Sequence, residues 1–277
     1  MSRHSIVASL LLAASFSRGA ELKQETLNAW DRYLAEANAG MQERAHGHFL
    51  WVDEAADRLA RVRAGEVVVS PLDHTPRAVP SGLIHHWIGA AFIPNARIDD
   101  VMSVVRDYDR YTQFYKPSVI DAKTLSRAGS EDRFSVVIVD PGMFMKRALD
   151  SEYQSRFAQV EPGKWFSVAR TMRVQEVADD RLIPDGEGSG YIWRLCTMSR
   201  YQERDNGVYI ETEALALSRP IPVTLHWVVE PIVKRVSRAS LTKSLEQTRD
   251  ATGAVIKSES GLSASRRSVT RHGLANE

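Results

Sequence analysis

One cysteine, Cys196, stands in 277 residues. That excludes an internal disulfide framework and a zinc site built on thiolates, so stability has to come from packing. The chain also lacks a charge of one sign: 36 Lys and Arg face 35 Asp and Glu, which leaves no broad field to recruit nucleic acid or an anionic surface. Glycine and proline show no excess, at 16 and 11, so neither a collagen-like nor a low-complexity chain is indicated. There is no Gly-rich phosphate loop, no His-Glu-x-x-His helix and no Gly-x-Ser-x-Gly elbow. The usual signatures of hydrolysis and of cofactor or metal binding are therefore missing, and no cofactor and no metal is expected.

With 43% hydrophobic and 26% charged residues, the chain has the composition of a globular protein with a sizeable core. The N-terminus carries Arg3 and His4, an apolar run over 6–16, and then Ser17-Arg18-Gly19-Ala20. The run is too short to span a bilayer, for which a helix needs roughly 20 apolar residues. Residues 1–20 read as a secretory signal, which predicts an exported, periplasmic or secreted protein. A cut after Gly19 places Ser17 where a small residue is wanted; an uncleaved interfacial anchor is the alternative.

Apolar residues at Leu22, Leu27, Trp30, Leu34, Ala37 and Met41 recur at helical spacing and predict an amphipathic helix over 21–44. A second helix is expected over 53–63, stopped at Gly65. A Pro-rich connection through Pro71, Pro76 and Pro80 follows, so residues 21–82 form an N-terminal helical extension. Beyond it the spacing predicts a strand over 85–93 and a helix over 98–114. Six further strands are expected over 119–125, 133–139, 149–160, 165–177, 190–202 and 208–218, joined by turn formers such as Asp205-Asn206-Gly207. Short turns make neighbours antiparallel. A long helix over 225–251 closes the domain at 83–252, with Pro231 as its kink or start. Residues 253–277, Ser-rich and unpatterned, are expected to be a disordered tail. The fold class is α+β, a curved antiparallel sheet of about seven strands beneath a long C-terminal helix. One helix cannot fill the hollow of such a sheet, so a cavity is expected.

Over about 83–252 the chain resembles the START-related superfamily, which includes polyketide cyclases and coenzyme Q-binding proteins and is built on the helix-grip fold. The resemblance is carried by Val105-Arg106-Asp107-Tyr108-Asp109-Arg110-Tyr111 before Tyr115-Lys116-Pro117, and by Gly190-Tyr191-Ile192-Trp193-Arg194. It is carried also by Gly207-Val208-Tyr209-Ile210-Glu211-Thr212-Glu213 and by Ser218-Arg219-Pro220-Ile221-Pro222. It implies a hydrophobic tunnel between sheet and helix for a lipid, a quinone or a polyketide-like molecule.

Alternate residues of a strand point to opposite faces. With a turn near Asp205-Asn206, Arg194, Arg200, Glu211 and Glu213 share one face, expected to be wet. The other face carries Tyr191, Trp193, Leu195, Thr197, Ser199, Val208, Ile210, Thr212, Ala214 and Ala216, an apolar wall with a few hydroxyls. Leu149, Tyr153 and Phe157 join that wall, and Trp227, Val228, Ile232, Val236, Leu241 and Leu245 of the last helix would face it. Arg170 and Arg173 fall on opposite faces of their strand, so one is expected to be buried, with Arg173 the candidate. Plain core packing produces the same pattern and remains open at this point. Of the histidines, His46 and His48 read as a chance pair, His85 and His86 point to opposite faces, and His226 reads as a helix cap or a polar gate.

These observations predict a non-catalytic binder or carrier of an apolar small molecule, without a nucleic-acid partner. One alternative is a cyclase- or aromatase-like enzyme using the same cavity. Another is a structural protein whose N-terminal helices dock on a membrane or envelope partner.

Overall fold

The computed structural model describes residues 21–45, 47–72, 75–139, 148–178, 181–184, 188, 191–221, 224 and 226–273; the side chains of 45, 178, 226, 228 and 259–273 lie outside that description. Its helices are α1 (Gln24–Ala45), α2 (Ala56–Arg63), α3 (Ile98–Val105), α4 (Tyr111–Phe114) and α5 (His226–Gly273), with short 3-10 turns at Trp51–Glu54 and Tyr108–Arg110. The strands are β1 (Val68–Pro71), β2 (Arg77–Val79), β3 (Gly82–Pro94), β4 (Val119–Ala128), β5 (Glu131–Val139), β6 (Ala148–Glu161), β7 (Lys164–Ala178), β8 (Arg181–Leu182), β9 (Arg194–Arg204) and β10 (Gly207–Ser218). They form one antiparallel sheet in the order β1-β3-β10-β9-β7-β6-β5-β4, with β2 also on β3 and β8 on β7. This is the helix-grip architecture, an α+β fold whose sheet has ten strands rather than about seven. The three additions are short, and two of them, β1 and β2, come from the segment read as a connection. The N-terminal extension is thereby stitched to the edge of the sheet.

The local reasons are visible in the chain. Asp205 and Asn206 both have positive φ, 55° and 58°, as a two-residue hairpin loop requires, and they set Arg200 opposite Glu211. Helix α3 begins with a capping box in which the Asp100 carboxylate accepts the Arg97 N–H at 2.7 Å. The helix expected over 98–114 breaks after Val105. There Asp109 turns to accept the backbone N–H and hydroxyl of Thr124 at 2.8 and 2.9 Å, and Arg106 reaches a carboxylate on β5. At the other end, α5 does not stop at 251. It continues to Gly273, so residues 253–273, expected to be a disordered tail, are helical. Pro231 lies inside the helix, near its start, and is exposed. Among the described residues, no helix is long and apolar enough to cross a membrane.

The outer face of the sheet is covered by the N-terminal segment. Helix α1 lays Trp30, Tyr33 and Met41 against Ile84, Met198, Leu215 and Leu217, and residues 49–52 with Val62 of α2 cover Ile88, Ala90, Phe92 and Tyr209. The N-terminal extension therefore packs behind the sheet, on the face away from α5. This overturns the expectation of a wet face: Arg200 and Glu211 are each 1% exposed and Glu213 is 4% exposed, while Arg194 at the strand start is half-buried. The buried charges are held by one another. Arg200 pairs with Glu211 at 3.1 Å and with Glu213. Glu213 also meets His86 at 3.0 Å and Arg44 of α1 at 3.3 Å, and the Tyr33 hydroxyl meets the other ring nitrogen of His86 at 2.9 Å. Burial pushes the Glu211 carboxyl up to about 7. Burial acts on Glu213 too, but the His86 hydrogen bond and the Arg200 charge together hold it below its ordinary value.

Removing one member of such a cluster strands the rest in a desolvated site. Arg200→Met is expected to lower the unfolding free energy by about 3–5 kcal/mol, read from urea denaturation. A loss under about 1 kcal/mol would show that the face is hydrated after all.

Candidate functional site

The inner face of the sheet is built from small residues. Strand register sets Phe157, Ser167, Ser199, Thr212 and Gly89 in one row from β6 to β3, and Ser155, Ala169, Thr197, Ala214 and Trp87 in the next. Side chains this short cannot reach across to a helix about 10 Å away, the usual spacing of packed layers. Helix α5 instead seats on the edge of the sheet, against β3, β1 and α3. Leu245 and Leu241 lie over Gly89, where a Cβ would stand 2.7 Å from Leu245 Cδ1. Between this contact and the far strands remains a cavity of about 770 Å³. Its edge includes the exposed residues Arg235, Ala239, Ser240 and Ser244 of α5, so it opens to solvent beside the helix.

The wall opposite Gly89 is aromatic. Tyr108 stacks on Phe134 with centroids 4.0 Å apart, and Phe134 stacks on Tyr153 at 5.0 Å, with interplanar angles of 6° and 4°. The Tyr108 hydroxyl donates to Asp132 Oδ2 at 2.9 Å and meets Ser155 Oγ at 3.0 Å. Asp132, fully buried, also accepts two hydrogen bonds from the Arg106 guanidinium at 2.8 and 2.9 Å. This bidentate pair anchors the wall, and it is the reason Arg106 leaves the helix. The segment after α4 is tied to α5 by a Tyr115–Thr248 hydroxyl contact at 3.0 Å and by Gln247 Nε2 donating to the Lys116 carbonyl at 2.7 Å.

Burial favours the neutral forms of the histidine, tyrosine and cysteine groups at the cavity. Burial lowers the His85 imidazole to about 4, and its Nε2 lies 3.0 Å from Ser218 Oγ. Burial raises the Tyr115 hydroxyl to about 12 and the Cys196 thiol to about 12, and it also raises Tyr108, Tyr153 and Tyr201. Low polarity is the shared cause. Among the described residues, the charged lining side chains are Arg235 and Lys243, both on α5.

The structure brings Tyr153, Phe157, Tyr191, Leu195, Thr197, Ile210, Thr212, Ala214, Val236, Leu241 and Leu245 to the cavity. Trp193 is not there. Strand β9 starts at Arg194 rather than 190, so parity fails one residue earlier and the indole packs behind the sheet with Trp30 and Tyr33. Trp227 is 79% exposed and Ile232 stands apart from the lining, because the first turns of α5 run outside the cavity. The side chain of Val228 lies outside the described residues, as does that of His226, and His46 lies outside them altogether. Arg173 is not buried in the cavity: it faces outward, 2.9 Å from Glu152 and 3.7 Å from Asp150. A β-bulge at Met172 is the reason, since Glu152 pairs with Arg173 and Tyr153 with Thr171. The extra residue resets the alternation, so that Arg170 and Arg173 both point away. Sequence reasoning missed Tyr108, Phe134, Ser167, Tyr201, Trp87 and His85 as lining. Parity extended two residues past Ser199 would have found Tyr201; the helical pattern around Tyr108 gave no direction.

No family model matches the chain, and no curated protein does. Solved structures of similar shape include the STAR-related lipid transfer protein from Xanthomonas axonopodis, at 17% identity over 66% of this chain and 98% of that one, with a TM-score of 0.43. Human STARD10 is similar at 8% identity over 72% and 79% of the two chains, with a TM-score of 0.45. An aromatase/cyclase from a Streptomyces species shares 12% identity over 60% and 93%, with a TM-score of 0.41. Likenesses this distant assign no role to any residue.

The His85 shift has a consequence in solution. Above pH 6.5 the ring is neutral in both folded and unfolded chains. As pH falls from 6.5 towards 4, only the unfolded chain gains the proton, so folding stability is lost across that window, by on the order of 3 kcal/mol. NMR titration should place the His85 midpoint near 4, and His85→Gln should flatten stability across this window. A midpoint near the free value would place His85 in water.

Proposed function

We propose that this chain is a non-catalytic carrier of an apolar small molecule held in the cavity beneath α5. One observation carries the reading. Along β10 the outward side chains Glu211, Glu213 and Leu215 are buried, whereas the inward ones, Thr212, Ala214 and Ala216, keep accessible surface. A strand that is more open on its concave side borders a hollow, not a core. The volume, about 770 Å³, lies within the range of small-molecule sites, roughly 300–1,000 Å³. The neutral state of the lining favours binding over acid–base chemistry, which works best with a group titrating near the operating pH. Arg173, the residue on which the cyclase-like alternative leaned, faces away from the cavity. Export is proposed on the character of residues 1–20 alone, and the N-terminal helices are proposed as a cover for the buried charges rather than as a docking arm.

Native mass spectrometry and solvent extraction of the purified chain should yield a co-purified apolar molecule. Ala214→Phe, which fills the hollow from its floor, should keep the melting temperature within about 5 °C, a shift equivalent to roughly 1–2 kcal/mol in a chain of this size, and lose that molecule. An empty wild-type protein that also takes up no added apolar probe would end the carrier reading.

A further inference from the structure

The cavity floor is polar in one place and in one manner. Ser199 and Thr212 sit side by side across β9 and β10 with their hydroxyls 2.9 Å apart. Ser167 lies beside Ser199 on β7, and its hydroxyl meets that of Tyr201 at 3.3 Å. Tyr201 follows Ser199 by two residues on the same face, which sets the two hydroxyl pairs next to one another. Four hydroxyls thus form two adjacent pairs at the centre of the floor, all four in the lining. A hydroxyl brings one donor and two acceptor sites. One link within each pair uses one of its two protons, so the Ser199–Thr212 pair keeps a spare O–H and several lone pairs for whatever lies above it.

Among the described residues, no charge stands beside these hydroxyls to meet a charged guest. The nearest inward neighbours in the adjacent row are Ala169, Thr197 and Ala214. The two lining cations, Arg235 and Lys243, belong to α5. The same desolvation that keeps His85 neutral down to about 4 would act on a carboxylate or an ammonium placed on the floor. An alcohol or a carbonyl oxygen meets no such penalty, and it satisfies the spare donor or acceptor. We propose that the cavity selects an uncharged apolar molecule bearing a hydroxyl or carbonyl oxygen, which hydrogen-bonds to the Ser199–Thr212 pair. The inference rests on the carrier reading and names the ligand class of that site.

The test uses three fluorescent probes of one skeleton: 1-pyrenemethanol, 1-methylpyrene and pyrene-1-carboxylate, titrated at pH 7.5 into the full-length chain stripped of lipid. The alcohol should bind about five- to tenfold more tightly than the hydrocarbon, the worth of one added neutral hydrogen bond, and at least about tenfold more tightly than the carboxylate, which would be buried unpaired. In the double variant Ser199→Ala, Thr212→Val, whose side chains keep nearly the same volume, the advantage over the hydrocarbon should vanish while hydrocarbon binding stays. Retained binding of 1-methylpyrene also shows that the variant is folded. Equal affinity for alcohol and hydrocarbon, or carboxylate binding as tight as the alcohol, overturns this inference and leaves the carrier reading in place. Binding of none of the three, or binding that survives Ala214→Phe, fails the carrier reading itself.

Discussion

The contact of Leu241 and Leu245 with Gly89 decides where the long helix sits, and the cavity follows from that position. A Cβ at 89 would press on the side-chain ends of Leu245, Val69 and Leu241. With glycine there, α5 drops onto the β1–β3 edge and packs beside α3, leaving the central strands β7, β9 and β10 without a partner on their inner side. Those strands carry Ser, Thr and Ala at the inward positions, and so they do not fill the space. Closeness at one edge and shortness in the middle are complementary parts of one arrangement.

The opposite face obeys a different rule. There the sheet is sealed by α1, the turn at Trp51–Glu54 and α2, and charges that a solvent-facing strand would leave in water are packed away. Arg200 lies between two glutamates, and Arg44 from α1 and His86 from β3 complete the set. The N-terminal segment is thus part of the domain's structure, contributing two strands to the sheet edge and an ion-pair partner to its outer face. A sheet this wide, with a hollow on one side, needs a firm backing, since the short inward side chains of its central strands have little packed above them.

Much of the architecture was legible in the sequence, because it is written in local signals. The Asp205-Asn206-Gly207 turn set the register of β9 and β10, alternation along β6 and β10 gave their inward residues, and apolar spacing found α1 and α5. What was not legible depends on contacts distant in sequence. The face carrying Arg200, Glu211 and Glu213 reads as wet because charge is the strongest local sign of exposure, and nothing near residue 200 announces that residues 24–62 will cover it. Strands β1, β2 and β8 are too short to show alternation. The continuation of α5 to Gly273 lies in a Ser-rich stretch without an apolar stripe, where periodicity has nothing to register. Among the site residues, Trp227 and Ile232 share the helical stripe of Leu241 and Leu245; periodicity marks a face of a helix but not how far along it the sheet extends.

The bulge at Met172 bears on the strand's tolerance to length changes. Beyond that residue every side chain of β7 keeps its orientation only because one amino acid is counted twice against β6. If the bulge straightened with all its residues kept, Arg173 and Gln175 would turn to the inner side of the sheet and Val174 and Glu176 to the outer side, whereas loss of Met172 alone would leave a regular ladder with each of these side chains on its present face. Lineages descended from this chain should therefore accept the loss of one residue at this bulge, as they would length changes in the β9–β10 loop or at the tip of β4–β5, far more readily than a loss elsewhere in mid-strand.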